Sequence, residues 1–192
     1  MMPQAWLRVC AEWLLLGFGF GCLGTCAYET VEARRFQAER AAEFALAAQA
    51  YAPVTVRAGG LIGMLDVPRL SLTTAVIEGD DERMLRRAVG HLPDTPLPWQ
   101  PGNSALAGHR DGLFRPLKDI VAGDEVIFRT SRQSLHYRVT RTVIVEPDDV
   151  AVLKPKPDSQ LTLITCYPFH YIGNAPKRFI VHAQRADAPP GE

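Results

Sequence analysis

The chain has 192 residues, of which 21 are basic and 21 acidic, with a formal net charge of zero and 47% apolar side chains. That length and apolar content suit one domain with a real core and room for an appendage. No basic run, RNA-binding signature or zinc-type ligand spacing is present, so composition offers nothing to nucleic acid or to a metal.

The amino-terminal segment Trp13–Tyr28 reads WLLLGFGFGCLGTCAY and carries no charge. It falls short of the roughly 20 apolar residues of a spanning helix, and extension back to Ala5 takes in Arg8 and Glu12, four apart and able to pair on a helix. Three readings compete here: a membrane anchor, a cleaved signal peptide and a buried core helix. No small-residue cleavage site follows the apolar run, which favours an anchor over residues 1–28. Arg34, Arg35 and Arg40 follow the segment and Arg8 precedes it, so charge alone does not orient it. Residues 29–52 are rich in Ala, Glu and Arg and are expected to form a solvated helical stalk that ends at Pro53.

Beyond Gly59-Gly60 the texture changes to short β-rich runs with turn residues between them. Strands are predicted at Leu61–Val67, Leu72–Ile77, Ser104–Ala107, Glu125–Thr130, Leu135–Val145, Leu161–Thr165 and Arg178–Gln184. Asp80–Val89 reads as a short helix, with Asp80 or Asp81 as its cap, and Asp148–Leu153 as one further turn. His91–Gly102 contains Pro93, Pro96, Pro98 and Pro101 and is expected to be an extended loop. About seven or eight short strands with few helices predict a mainly β, closed or nearly closed barrel.

Cysteine usage narrows the chemistry. Cys10, Cys22 and Cys26 fall in the first 26 residues, and Cys166 is alone in the rest of the chain. A lone thiol in a globular domain is either packing or a reactive group. Cys166 ends the run Thr162-Leu163-Ile164-Thr165-Cys166 and is followed by Tyr167-Pro168, while His109 sits in Ala107-Gly108-His109-Arg110-Asp111. Each reactive residue thus stands where a strand gives way to a turn, a place from which a rigid scaffold presents groups to a ligand. Arg178 opens the strand after the loop Tyr167–Lys177. A thiolate attacks, a histidine carries its counter-charge and later donates a proton, and an arginine stabilises a carbonyl oxygen that becomes an oxyanion. Taken singly, His109 and Arg178 have ordinary structural readings; together with Cys166 they form a candidate acyl-transfer set.

Three separated stretches, ALAGHRDGLFRPLKDIVAGDEV, TLITCYPF and APKRFIVHA, resemble the sortase family in order and spacing, over about residues 61–185. Thr162, Leu163, Thr165 and Cys166 match that family's Thr-Leu-x-Thr-Cys, His109 its histidine and Arg178 its arginine. The Gly123-Asp124 pair matches the Gly-Asp that opens the next family strand, and GHLPDTPLPWQPGN resembles the loop before the histidine strand. The resemblance implies an eight-stranded sortase-type barrel over residues 53–186 with a tail at 187–192. It also implies a two-step reaction in which Cys166 cleaves an LPxTG-like signal between Thr and Gly and an amine acceptor takes the acyl group. No cofactor is expected and no acidic cluster reads as a metal site, although some sortases use calcium. The wording of GHRDGLFRPLKDI is most similar to proteobacterial sortases near class D, which pair with a von Willebrand A-type surface protein.

By the same resemblance Thr165 and Tyr167 would help to bind substrate. Asp111 is a candidate to orient His109 or to cap the following turn, and His170 to touch substrate from the loop. His91, His136 and His182 have no matched role, and Lys177 competes with Arg178 for the cationic one. The expected location is the inner membrane, single-pass, with the catalytic domain exported. Two other readings are set against this: a tethered binding or assembly module without catalysis, and an L,D-transpeptidase. The second wants a Ser/Thr-x-Gly-Cys motif that residues 163–166 do not supply.

Overall fold

The computed structural model describes residues 4–50, 56–171 and 173–186, with only the backbone described at 4–10. The expected domain start at 53, the break at Pro53 and the tail 187–192 lie outside the described residues. One helix, α1, spans Gln4–Gln49. Eight strands follow: β1 (Leu61–Val67), β2 (Leu72–Glu78), β3 (Val89–His91), β4 (Asn103–Ala107), β5 (Glu125–Arg129), β6 (Ser134–Val145), β7 (Gln160–Tyr167) and β8 (Lys177–Arg185). A short helix, α2 (Glu82–Leu85), lies between β2 and β3. Compact units divide at residue 35, with residues 36–192 forming one and the preceding segment the other.

In the first unit, Trp13, Leu14, Leu15, Leu16, Phe18, Phe20 and Leu23 are all exposed. This apolar stretch lies in a helix long and apolar enough to cross a membrane, and none of its apolar window is buried, which removes the buried-core reading. A signal sequence has the same length and composition.

In the second unit the strands close into a barrel in the order β1-β2-β3-β4-β7-β8-β6-β5, with β5 returning to β1. Two pairs are parallel, β2 with β3 and β4 with β7, and the rest are antiparallel. Inward-facing positions fill the interior: Leu65 and Val67 from β1, Val126 and Phe128 from β5, Leu135 and Tyr137 from β6, Leu161 and Leu163 from β7, and Val181 from β8. Strands of alternating pattern curl until the row of unpaired edge groups is gone, which is the gain of closure.

Two expectations need correction. The helix expected over Asp80–Val89 is confined to Glu82–Leu85, and β3 occupies Val89–His91, partly within what was expected to be the extended loop. Asp81 does cap the helix, accepting from the Met84 N–H at 2.9 Å. The strand wins because Val76, Ile77 and Glu78 of β2 supply a ladder for Val89, Gly90 and His91. Gly90 permits the approach, since a Cβ there would lie 2.2 Å from the Gly79 carbonyl oxygen. Long-range pairing overrides local helix propensity when it satisfies buried backbone groups. The turn expected at Asp148–Leu153 is a 3-10 turn at Val150–Leu153, capped by Asp149. A second, Arg115–Asp119, follows the His109 turn.

The Pro-rich loop between β3 and β4 is held at several points. Tyr137 donates its hydroxyl to the Pro98 carbonyl at 2.6 Å, and Trp99 packs on Phe128. His91 is buried between Glu78 (Nδ1 to Oε2, 2.8 Å) and the Pro96 carbonyl (Nε2 to O, 3.1 Å). The Gly123-Asp124 pair is a turn: Gly123 has φ +91, and Asp124 accepts from the Val121 N–H and from both Nε and Nη2 of Arg69. The hydrogen bond from Arg69 is the chief cause that holds the Asp124 carboxyl below its usual pKa.

The part of α1 from Phe36 onward belongs to the barrel's unit. Gln37 reaches the sheet where β3 has not yet begun to pair with β2. Its Oε1 accepts from the Ala75 backbone N–H at 2.8 Å and its Nε2 donates to the Arg87 carbonyl at 2.6 Å. The Arg129 guanidinium, paired with Asp66, lies 5.5 Å from the centre of the Phe44 ring. A buried backbone N–H must be matched, and here a side chain supplies the missing acceptor.

A polar chain joins three strands inside the sheet. Asn103 of β4 donates to the Val152 carbonyl (2.9 Å) and accepts from the Thr162 hydroxyl of β7 (2.7 Å), which in turn faces Nδ1 of His182 on β8 (3.4 Å). Burial, then the charges of Arg141 and Lys156, lower the pKa of His182.

Two predictions follow from these contacts. Gln37→Ala leaves the Ala75 N–H without its acceptor and lowers the unfolding free energy by about 1–3 kcal/mol, as read from Trp fluorescence of the full chain unfolded by urea in detergent. Because the folded state depresses the His182 pKa, the unfolded chain binds the extra proton first. Stability contributed by neutral His182 is complete above about pH 6.5 and is lost as pH falls below it. Melting temperatures measured from pH 7.5 to pH 5 fall more steeply for the wild type than for His182→Gln.

Candidate active site

The site is built from three adjacent strands. Parallel pairing of β4 with β7 sets Ala107 opposite Ile164. The register continues one residue further, since the Gly108 N–H donates to the Ile164 carbonyl at 3.1 Å. His109 is the next residue after Gly108, just beyond the end of β4. On the other side of β7, antiparallel pairing places Cys166 directly opposite Arg178. Paired residues share a face, and their Cα atoms lie about 5 Å apart. Cys166 near the end of β7 and Arg178 near the start of β8, 12 positions apart in the chain, are thus paired, and His109 follows β4 at the same end of the β4–β7 pair.

The local sequence explains how His109 is held. Gly108 is overlain by the Phe114 ring, and a Cβ on Gly108 would lie 2.8 Å from it. The Phe114 and Gly112 N–H groups both donate back to the His109 carbonyl, at 3.1 and 3.3 Å. Phe114 is fully buried in the core. A turn with a core residue at its base therefore grips the histidine backbone while the ring is half-buried with no hydrogen-bond partner among the described residues. Cys166 is a half-buried free thiol. Arg178 is also half-buried. It donates through Nη1 to the Lys177 and Ala175 carbonyls at 3.2 and 3.4 Å, which are long contacts that leave the rest of the guanidinium uncommitted.

Lys177 is not in the same position. It pairs with Tyr167, so it lies on the face opposite to Cys166, and its Nζ sits 3.4 Å from Oε1 of Glu146. Register thus separates two adjacent cations that the sequence left in competition.

Thr165 and Tyr167 share that opposite face. Thr165 is 2% exposed, and its hydroxyl donates to the Gly108 carbonyl at 2.7 Å. Tyr167 forms a three-ring cluster with Phe169 (6.1 Å) and Phe179 (6.4 Å), and those two rings meet edge-on at 5.3 Å. Phe169 and Phe179 pack against the core. Beneath the strand that carries Cys166, this cluster stoppers the barrel. Asp111 and His170 are exposed, and neither has a hydrogen bond or ion pair among the described residues.

One residue was overlooked by the motif reading. Arg110 follows His109 directly, is 9% exposed, and binds the carbonyls of the loop between β7 and β8. A charged residue inside a turn reads as solvated, and nothing in the sequence signalled that the loop would fold over it.

A closed eight-stranded mixed barrel with a free cysteine paired across two strands from an arginine defines a narrow class of protein. Residues 65–186 match the sortase domain family, and the chain belongs to that family. It is 36% identical over 128 residues to sortase D of Bacillus subtilis (strain 168), a match that covers 66% of this chain and 65% of that protein. It is 27% identical over 125 residues to sortase A of Bacillus anthracis, covering 63% of this chain and 58% of that protein. The matched region thus spans 65% and 58% of the length of these curated relatives, less than two thirds of either. Among solved structures, a sortase A from Actinomyces oris has a TM-score of 0.62 at 32% identity, covering 69% of this chain and 83% of that chain. A sortase D5 transpeptidase from Clostridium perfringens has a TM-score of 0.66 at 23% identity and covers 79% of this chain and 96% of that chain, a likeness of fold.

The grip on His109 is directly testable. Gly108→Ala forces the Phe114 ring from its place and costs about 1–3 kcal/mol of stability by overpacking. In the same variant amide exchange over residues 108–114 accelerates, whereas Gly123→Asn, in the turn before β5, leaves exchange there unchanged.

Proposed function

We propose that this chain is a membrane-anchored cysteine transpeptidase that acts on a protein carrying a carboxy-terminal LPxTG-like signal. The observation that supports the reading is the pairing of Cys166 with Arg178 across β7 and β8, with His109 following the strand that pairs with β7 on its other side. In the first step the Cys166 thiolate attacks the carbonyl carbon of the signal's Thr. Arg178 donates to the oxygen as it becomes negative, and His109 gives a proton to the amine of Gly as the peptide bond breaks. The product is a thioester on Cys166 and a released carboxy-terminal fragment. In the second step an amine attacks the thioester, His109 accepts the amine's proton, and the thiolate leaves.

Thr165 serves this reaction by tying Gly108, and with it the His109 turn, to the strand of the nucleophile. Tyr167 supports the same strand from its ring cluster and bounds the substrate's path. His170, in the loop beyond, is a further substrate contact, and Asp111 faces solvent beside the histidine turn. The exposed apolar stretch of α1 supports a single-pass anchor, and the proposed chemistry on an exported protein is the ground for assigning it to the inner membrane with the barrel on the outer side. The 36% relative named sortase D supports a place near class D, and we extend that to the proteobacterial sortases with a von Willebrand A-type surface protein as the dedicated substrate.

Mass spectrometry of the full chain incubated with LPxTG-type peptides and a short amine tests the reading. Wild type forms an acyl adduct on Cys166 that the amine converts to an exchanged peptide, and Cys166→Ala forms none. Removing the Arg178 donor by Arg178→Ala lowers kcat by roughly 10²–10³-fold. The pH–rate profile is bell-shaped. An alkylatable Cys166 that gives no adduct with any sorting peptide replaces this reading with that of a tethered binding module.

A further inference from the structure

Arg110 is buried, cationic and without a carboxylate: no ion pair among the described residues includes it. Its Nη2 donates to the carbonyl oxygens of Tyr171 and Gly173, at 2.7 and 2.9 Å, and its guanidinium carbon lies 5.8 Å from the centre of the Tyr171 ring. Its other terminal nitrogen, Nη1, is buried and has no hydrogen-bond partner among the described residues. A buried cation with one donor unmet is unfavourable for packing alone. Its place is accounted for by what Nη2 holds. Tyr171 and Gly173 lie in the connection from Cys166 to Arg178, and Arg110 is the residue after His109.

We infer that Arg110 is a positioning residue of the reaction, a staple that fixes the β7–β8 loop against the His109 turn and so keeps Cys166, His109 and Arg178 in their relative places. The inference rests on the transpeptidase reading for its catalytic consequence. The β4–β7 ladder sets the height of His109 along the barrel, but that ladder ends at Gly108. Beyond it, the described cross-link between the two catalytic loops is the pair of hydrogen bonds from Arg110. A planar guanidinium reaches two carbonyls in one plane, and an ammonium at the same place does not reproduce that geometry. Orientation losses of this kind act on a peptide that must meet all three groups at once, and not on a small electrophile that needs only the thiol.

The test compares Arg110→Ala and Arg110→Lys with wild type in the full chain in detergent. Three readouts are taken: peptide turnover, alkylation of Cys166 by iodoacetamide, and amide exchange over residues 168–176. For Arg110→Ala the inference expects kcat for peptide to fall roughly 10- to 100-fold with KM within threefold, alkylation to stay within threefold of wild type, and exchange in the loop to accelerate. Arg110→Lys recovers less than a tenth of the lost turnover. Millimolar guanidinium ion, well below denaturing levels, restores Arg110→Ala several-fold. The inference is overturned by turnover within twofold of wild type, or by turnover and alkylation falling together without rescue, which is the signature of a barrel that no longer folds. Should wild type itself process no peptide, the transpeptidase reading fails separately, and unchanged exchange at 168–176 in Arg110→Ala would still dispose of the staple.

Discussion

The backbone ladder across β4, β7 and β8 is the constraint on which everything else depends. One pairing is parallel and the other antiparallel, and β7 lies between. A one-residue slip in either would turn a reactive side chain to the opposite face of the sheet. Slippage is resisted from within the barrel, because Leu161, Leu163 and Val181 are buried only in this register. The Asn103–Thr162–His182 chain pins the same three strands near their far end. Its members are buried, and a buried polar chain is favourable only while every link is made, so it penalises wrong registers as well as stabilising the right one.

At the other end the barrel finishes in chemistry. Strands stop there, the interior is closed by Tyr167, Phe169 and Phe179, and the backbone turns that follow are fastened by specific donors. The Thr165 hydroxyl holds Gly108, the Phe114 N–H holds His109, and Arg110 holds the β7–β8 loop. Each fastening joins a residue next to a reactive one with a different strand or loop. The reactive side chains themselves make few contacts, which leaves them available, while their backbones are over-determined. Groups fixed in this way need no rearrangement as charge develops beside them.

Residues 36–49 belong to the barrel's unit rather than standing apart as the solvated stalk that their composition suggested. The reason is local: β3 is short and leaves part of β2 without a neighbour, and Gln37 supplies the missing acceptor to Ala75. A single amide side chain thereby replaces a strand's backbone. Phe44 adds an aromatic face to the Arg129 guanidinium, which Asp66 already neutralises in part.

By itself the sequence determined the β-rich class and the places of seven strands to within a few residues, and it put Cys166, His109 and Arg178 forward as one candidate set. Alternation of apolar residues and turn chemistry are local signals, and Thr162–Cys166 and Gly108-His109 are dense enough to be recognised. The tertiary structure alone decided the rest. β3 exists because β2 offers a ladder to three residues that, by local propensity, extend a helix or a loop. Lys177 and Arg178 are adjacent cations, told apart in the sequence by the family match alone, and the pairing of Cys166 with Arg178 puts them on opposite faces. Gln37 and Arg110 read as solvated polar residues, since a side chain's partners 38 or 61 positions away leave no periodic trace near it. Local propensity and pattern are written in neighbouring residues, whereas register and long-range hydrogen bonds are settled only when the closed barrel leaves each buried donor one acceptor within reach.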